Sequence, residues 1–203
     1  MKIKDEQKYD RLIQAAIQLL ATEGLAPFST TKVAKQAGIP QSNLYIYFKN
    51  KQALLNATYA AAVHQMSLAV VPCFANDQPL ITQTAASIHG LYDFAMAQPK
   101  TATAVQVLMD DVQFKQQAPV KLADMANHQI QDALQLGVQT EVFQPVDLNL
   151  IRYFLTRPVF HYAAGIQSGL YSSTAQGLNE LTAMVMRAVL TPTALKAWLA
   201  TNA

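Results

Sequence analysis

The chain has 203 residues, 51% of them hydrophobic, with 7 glycines and a single cysteine, Cys73. That composition allows a sizeable core, favours helix over strand and excludes an internal disulfide. The formal charge is only +2, but it is uneven: residues 1–51 carry eight basic against four acidic side chains, and the rest of the chain seven against nine. A basic head on a slightly acidic body points to a polyanionic partner for the head.

Residues 5–23 predict an amphipathic helix striped by Tyr9, Leu12, Ile13, Ala16, Ile17 and Leu20 and ended by Gly24. Leu25 and Phe28 follow in the link and are expected to pack beneath the next helix. Ser29 is a candidate cap for a helix through Val33 and Ala34 to Ala37, and Gly38 suits the left-handed position that often closes a helix. Pro40 restricts Ile39 and favours a new start, so a second short helix is expected over Gln41 to Phe48.

That short helix has an unusual surface. At 100° per residue Leu44 and Phe48 fall on one side, and Ser42, Asn43 and Ile46 on the other. Tyr45 and Tyr47 flank Ile46. A reading face between two phenols has the shape of a recognition helix for a DNA major groove. Asn50 can cap the next helix, which places Lys51 where the helix dipole disfavours a cation and where a docked phosphate would offset that cost. Three helices in about 48 residues are too few to hold a large core alone. The helix beginning at Lys51 is expected to support them.

Beyond residue 51 the prolines suggest the division. Helices are expected at 51–71 before Pro72 and at 79–97 with Ile81, Ala85, Ile88, Tyr92 and Ala95. Two more are expected at 101–117 and at 119–137, the latter opened by Pro119 and carrying Leu122, Ala126, Ile130 and Leu134. Gly137 and the residues after it read as a connection. A long helix follows at 147–171. Leu148, Ile151, Leu155, Val159, Tyr162 and Ile166 form one apolar side of it, and Leu150, Phe154, His161 and Ala164 widen that side. It must therefore be covered on most sides, and Pro158 should interrupt its bonding to the Phe154 carbonyl. Ser173 can cap a helix at 174–190, and Pro192 opens a last one carrying Trp198.

The Gly165-x-x-x-Gly169 spacing would let another helix approach closely. With Leu178, Leu181 and Val185 it suggests a two-fold, four-helix interface; packing within the chain is the plainer alternative. Residues 52–76 and 158–179 lack Asp, Glu, Lys and Arg. Their Gln, Asn, His, Ser and Pro content fits buried helices better than membrane spans. The start of the chain has no apolar signal region, and the expected address is the cytoplasm.

Residues 12–54 closely resemble the DNA-binding head of the tetracycline-repressor (TetR) family of bacterial regulators. The family pattern is a helix ending in Gly, a Ser/Thr cap, then I-A-x-x-A-G-V-S-x-G-x-L-Y-x-Y-F-x-x-K-E-x-L. Here the text from Val33 to Leu54 is VAKQAGIPQSNLYIYFKNKQAL. The resemblance implies an all-α fold: a helix-turn-helix DNA-binding domain over 1–50 and a larger helical ligand-binding and dimerisation domain over 51–203. It implies that Gln41, Ser42 and Asn43 face base edges, and that Tyr45, Tyr47, Lys51, Thr31 and Lys32 meet phosphates. Ser42 stands where the family usually has Gly, and Ile46 where His or Trp is common. An outward Ile46 could touch a thymine methyl. Members are usually homodimeric repressors released from a palindromic DNA operator by a small effector in the larger domain.

The best candidates for an apolar effector site are Tyr92, Met96, Phe154, His161 and Tyr162. Core packing is the competing role for such residues. His89 and Asp93, four apart, could share a hydrogen bond. Cys73 reads as a small buried hydrophobe. No phosphate loop, G-x-S-x-G, G-x-G-x-x-G or H-x-x-x-H is present, so neither an enzyme nor a cofactor or metal is expected. The rivals are a helical ligand carrier or enzyme that keeps the head as structure, and a regulator without a small effector.

Overall fold

The computed structural model of the chain describes residues 6–74, 77–117 and 124–201. Among the described residues there are eleven α-helices and no strand. They are α1 (Glu6–Glu23), α2 (Thr30–Ala37), α3 (Gln41–Tyr47), α4 (Lys51–Phe74), α5 (Leu80–Ala97), α6 (Pro99–Asp110), α7 (Val112–Gln117), α8 (Met125–Gln139), α9 (Leu148–Gln167), α10 (Ala175–Val189) and α11 (Pro192–Thr201). The all-α class is as expected.

Several boundaries differ from the sequence expectation, each for a local reason. Pro72 lies within the last turn of α4, and Pro99 opens α6 rather than preceding it, since a first helical residue needs no N–H. The expected 101–117 helix is two, because Asp111 Oδ1 accepts the Phe114 N–H at 2.7 Å and starts a new turn. Gly137 belongs to α8, where the Phe143 ring occupies the space a side chain would need. Thr174, not Ser173, caps α10 by accepting the Gly177 N–H at 3.0 Å. Pro119 and Leu122 lie outside the described residues.

The chain forms two compact units. One runs up to Gln65 and resumes from Lys100; the other takes Met66 to Pro99 and resumes at Asp124. The first unit therefore reaches well beyond residue 50. The reason is the size of the core. Leu12, Ile13, Ile17 and Leu20 of α1, Val33 of α2 and Leu44 of α3 share one cluster with Leu54 and Leu55 of α4, Leu108 of α6 and Phe114 of α7. Phe114 also meets the Tyr59 ring edge-on at 5.4 Å. Three short helices cannot bury enough apolar area by themselves, and residues distant in sequence make up the difference.

In the second unit α5 packs on α9 and α10, α9 also packs on α8 and α10, and α11 lies on α5. Phe94 and Phe160 meet at 6.2 Å between ring centres. The connection after α8 is tied to the one after α10. Gln144 N–H donates to Val189 O, Thr191 N–H to Val142 O, and Thr191 Oγ1 to Glu141 O, at 2.9, 3.0 and 2.7 Å. Phe143, fully buried, plugs this join. α4 is long and apolar enough to cross a bilayer by length and composition. Yet Leu54, Leu55, Thr58, Ala62, Val63, Ser67 and Val70 are buried within the protein, the pattern of a core helix.

Truncating Phe114 tests the extent of the first unit. Phe114→Ala should cost about 3–5 kcal/mol in chemical denaturation and weaken hydrogen-exchange protection in α2 and α3. Unchanged protection there would show that the head stands without α7.

Candidate nucleic-acid interface

The helix-turn-helix is fixed by local chemistry. Ser29, in extended conformation, accepts the Lys32 N–H on its Oγ at 3.2 Å and caps α2. Gly38 takes φ 66°, ψ 34°, where other residues are strained. Its N–H donates to Lys35 O and that of Ile39 to Ala34 O, which closes α2 within one turn. Pro40 then supplies the carbonyl that accepts from Asn43 and Leu44 and starts α3.

One side of α3 is driven inward at Leu44, which is wholly buried; Ile39 and Phe48, which flank the helix, are nearly so, and Phe48, expected within the helix, is its extended C-cap. Phe48 lies 5.3 Å from the Tyr9 ring of α1, and Tyr47 6.2 Å from the same ring. The other side is open. Gln41, Ser42, Tyr45 and Ile46 are exposed, while Asn43 and Tyr47 are half-buried. The structure thus separates the two faces of α3 as helical periodicity requires.

The charged and polar groups around this face are positioned. Tyr45 Oη lies 3.3 Å from Thr30 Oγ1 and accepts from Gln41 Nε2 at 3.5 Å. These hydrogen bonds, Thr30 first and then Gln41, hold the exposed Tyr45 phenol below its ordinary value, against a smaller opposing effect of burial. Burial, and secondarily the Asp10 carboxylate, push the Tyr9 phenol up. Lys51, exposed at the start of α4, holds its Nζ 5.7 Å from the centre of the Phe28 ring. Asn50 Oδ1 accepts the Ala53 N–H at 2.8 Å and caps α4 as expected. Thr31 is exposed. Lys32 pairs with Glu23 Oε2 at 2.7 Å.

Sequence reasoning missed Thr30, Glu23 and the role of Phe28. All three act across a turn or between helices, where no periodic pattern reports proximity.

The residues expected to form an effector site separate. Tyr92 and Tyr162 meet at 6.2 Å, and Tyr162 stacks on Tyr171 at 5.4 Å. Met96 Sδ is 3.9 Å from Gln167 Nε2. Phe154 and His161, however, lie on the exposed side of α9. A helix apolar around most of its surface has two faces to fill. Ile151, Leu155 and Val159 take the interior one, while Leu150, Tyr153 and Phe154 remain outside.

The expected interface residues also redistribute. The Tyr171 ring covers Gly165. Gly169, at φ 77°, follows the end of α9, and the Leu170 N–H returns to Gly165 O. Within the chain, the pair serves the close of α9. Val185 is buried inside its own unit, and Leu178 and Leu181 are half-buried. His89 Nε2 lies 3.4 Å from Thr182 Oγ1, so it turns to α10 and not to the exposed Asp93. Cys73 packs near Gly90, and burial pushes its thiol up. Among the described residues, no group of three or more His, Cys, Asp or Glu side chains could hold a metal ion.

A capped two-helix turn, an outward polar face and a mainly helical companion unit define the class: a helix-turn-helix protein of all-α build. Residues 12–58 match the family model described as bacterial regulatory proteins, tetR family. The likeness to that family in sequence is one of the head. The head is 36% identical over 58 residues to the fatty acid metabolism regulator protein of Bacillus subtilis, a match spanning 29% of this chain and 30% of that protein. The fold is shared far more widely. A TetR family transcription regulator from Marinobacter aquaeolei superposes with a TM-score of 0.77 at 22% identity, covering 94% of this chain and 99% of that one. The regulator FadR of Bacillus subtilis, crystallised with stearoyl-CoA, superposes with a TM-score of 0.64 at 18% identity, covering 88% and 97%. At these identities the likeness is one of fold.

The Thr30–Tyr45 contact has a spectroscopic consequence. Removing the hydroxyl that favours the phenolate, in Thr30→Val, should move the Tyr45 titration upward when followed by NMR of its ring carbons. An unmoved midpoint would show that the two hydroxyls do not interact in solution.

Proposed function

We propose that this protein is a sequence-specific, DNA-binding transcriptional regulator. Its working form is a homodimeric repressor that leaves a palindromic operator when a small, largely apolar ligand binds the second unit. The observation that carries the reading is the outer face of α3. Gln41, Ser42 and Ile46 stand exposed together on a helix whose other side is locked into the core. Short polar side chains on such a helix suit base edges in a major groove, with Asn43 beside them. Tyr45, Tyr47, Thr31, Lys32 and Lys51 are the phosphate-contacting set, which positions the helix without reading sequence.

The two-fold form is supported by the unpartnered side of α9 and α10. Leu150, Tyr153, Phe154 and Met184 are all exposed there, with Leu181 half-buried. Exposed large apolar side chains on two helices that pack together suit an interaction site, and a second copy would cover them symmetrically. Phe154 thus moves from the effector site to the interface in this reading. Tyr92, Met96 and Tyr162 remain candidates for contact with an apolar effector. That a regulator of the same fold was crystallised with stearoyl-CoA supports a ligand with a long apolar part. The work of such a protein takes place in the cytoplasm.

Mobility shifts with the DNA flanking its own gene test the reading. Lys51→Ala should weaken binding about equally across sequences and lower the salt slope by about 1. Asn43→Ala should alter base preference. No specific shift by the native protein on any inverted repeat there would reject the proposal. Phe154→Asp should convert a dimer to a monomer in sedimentation velocity, and a dimer that persists would remove Phe154 from the interface.

A further inference from the structure

We propose that Glu23 is a built-in competitor for the DNA phosphate at Lys32, and that this carboxylate lowers the head's affinity for DNA. The proposal rests on the DNA-binding reading above. Glu23 is the last residue of α1, and Lys32 lies in the first turn of α2. A carboxylate is disfavoured at a helix C-terminus and a cation at an N-terminus. Each charge therefore stands at the end that repels it, and the Oε2–Nζ contact of 2.7 Å offsets both costs.

The same corner is where a phosphate would dock. It would meet the positive end of α2, the Thr30 and Thr31 hydroxyls and the Lys32 ammonium. Glu23 now takes one N–H donor of that ammonium and sets a negative charge beside any incoming phosphate oxygen. The pair is not locked away: its side chains are 46% and 42% exposed, and exposed ion pairs exchange readily. Binding DNA then means trading an internal carboxylate for a phosphate, with the freed Glu23 left close to a polyanion. Both effects lower affinity. They act at a backbone contact, so they lower it for all sequences alike.

The test is a double-mutant cycle on the full chain with a fluorescent duplex of mixed sequence as the probe. Glu23→Gln keeps the shape and removes the charge. It should tighten binding about two- to fivefold, with an unchanged melting temperature. In a Lys32→Gln background the same change should give little or no gain. An unaltered affinity for Glu23→Gln would overturn the proposal. So would a full gain that persists without Lys32, because Glu23 would then act by plain repulsion. A native protein that binds no duplex even at low salt would instead reject the DNA-binding reading.

Discussion

The burial of Leu44 and Phe48 is the constraint on which this structure turns. α3 has seven residues, too few to persist alone in water. It exists because those two side chains are taken into a core built by α1, α2, α4, α6 and α7. The anchoring sets the rotation of α3 about its own axis. With Leu44 inward, Ser42 and Ile46 face outward, and Gln41 stands exposed at the edge of that face. A cavity under Leu44 would thus blur the reading face as well as reduce stability.

The electrostatics around α3 follow from the same anchoring. Tyr45 is braced by Thr30 and Gln41, and Lys51 rests over Phe28. These contacts reduce the freedom that long side chains would lose on meeting a phosphate. Lys32 is different, since an internal carboxylate already occupies it. On the proposed DNA-binding reading, the head combines prepared contacts with one that must be exchanged.

Much of this was legible in the residues, and the division between what was and was not is physical. Ser29, Gly38, Pro40 and Asn50 announce caps and turns because capping is decided within a few residues. The two faces of α3 follow from helical period alone. The membership of the first core did not show: Phe114 lies far along the chain from Leu44, and only tertiary folding brings them into one cluster. The Gly165–Gly169 spacing left two readings open for a related reason. A small residue signals that something comes close, without saying whether it is another helix or, as here, the chain's own Tyr171. On α9, periodicity marked an apolar surface wider than one face. It could not say that Ile151 and Leu155 turn inward while Leu150 and Phe154 stay outside. The family resemblance covered the head and left the second unit, where relatives share fold more than sequence, to be read from packing.

The central claim is that the outer face of α3 reads DNA sequence in a paired arrangement. Selection of bound duplexes from a random-sequence pool by the full-length protein tests it most directly. The account predicts enrichment of an inverted repeat whose half-sites are separated by about one helical turn, or a multiple of it. Recovery of a pool no different from the starting one, despite measurable binding, would contradict it.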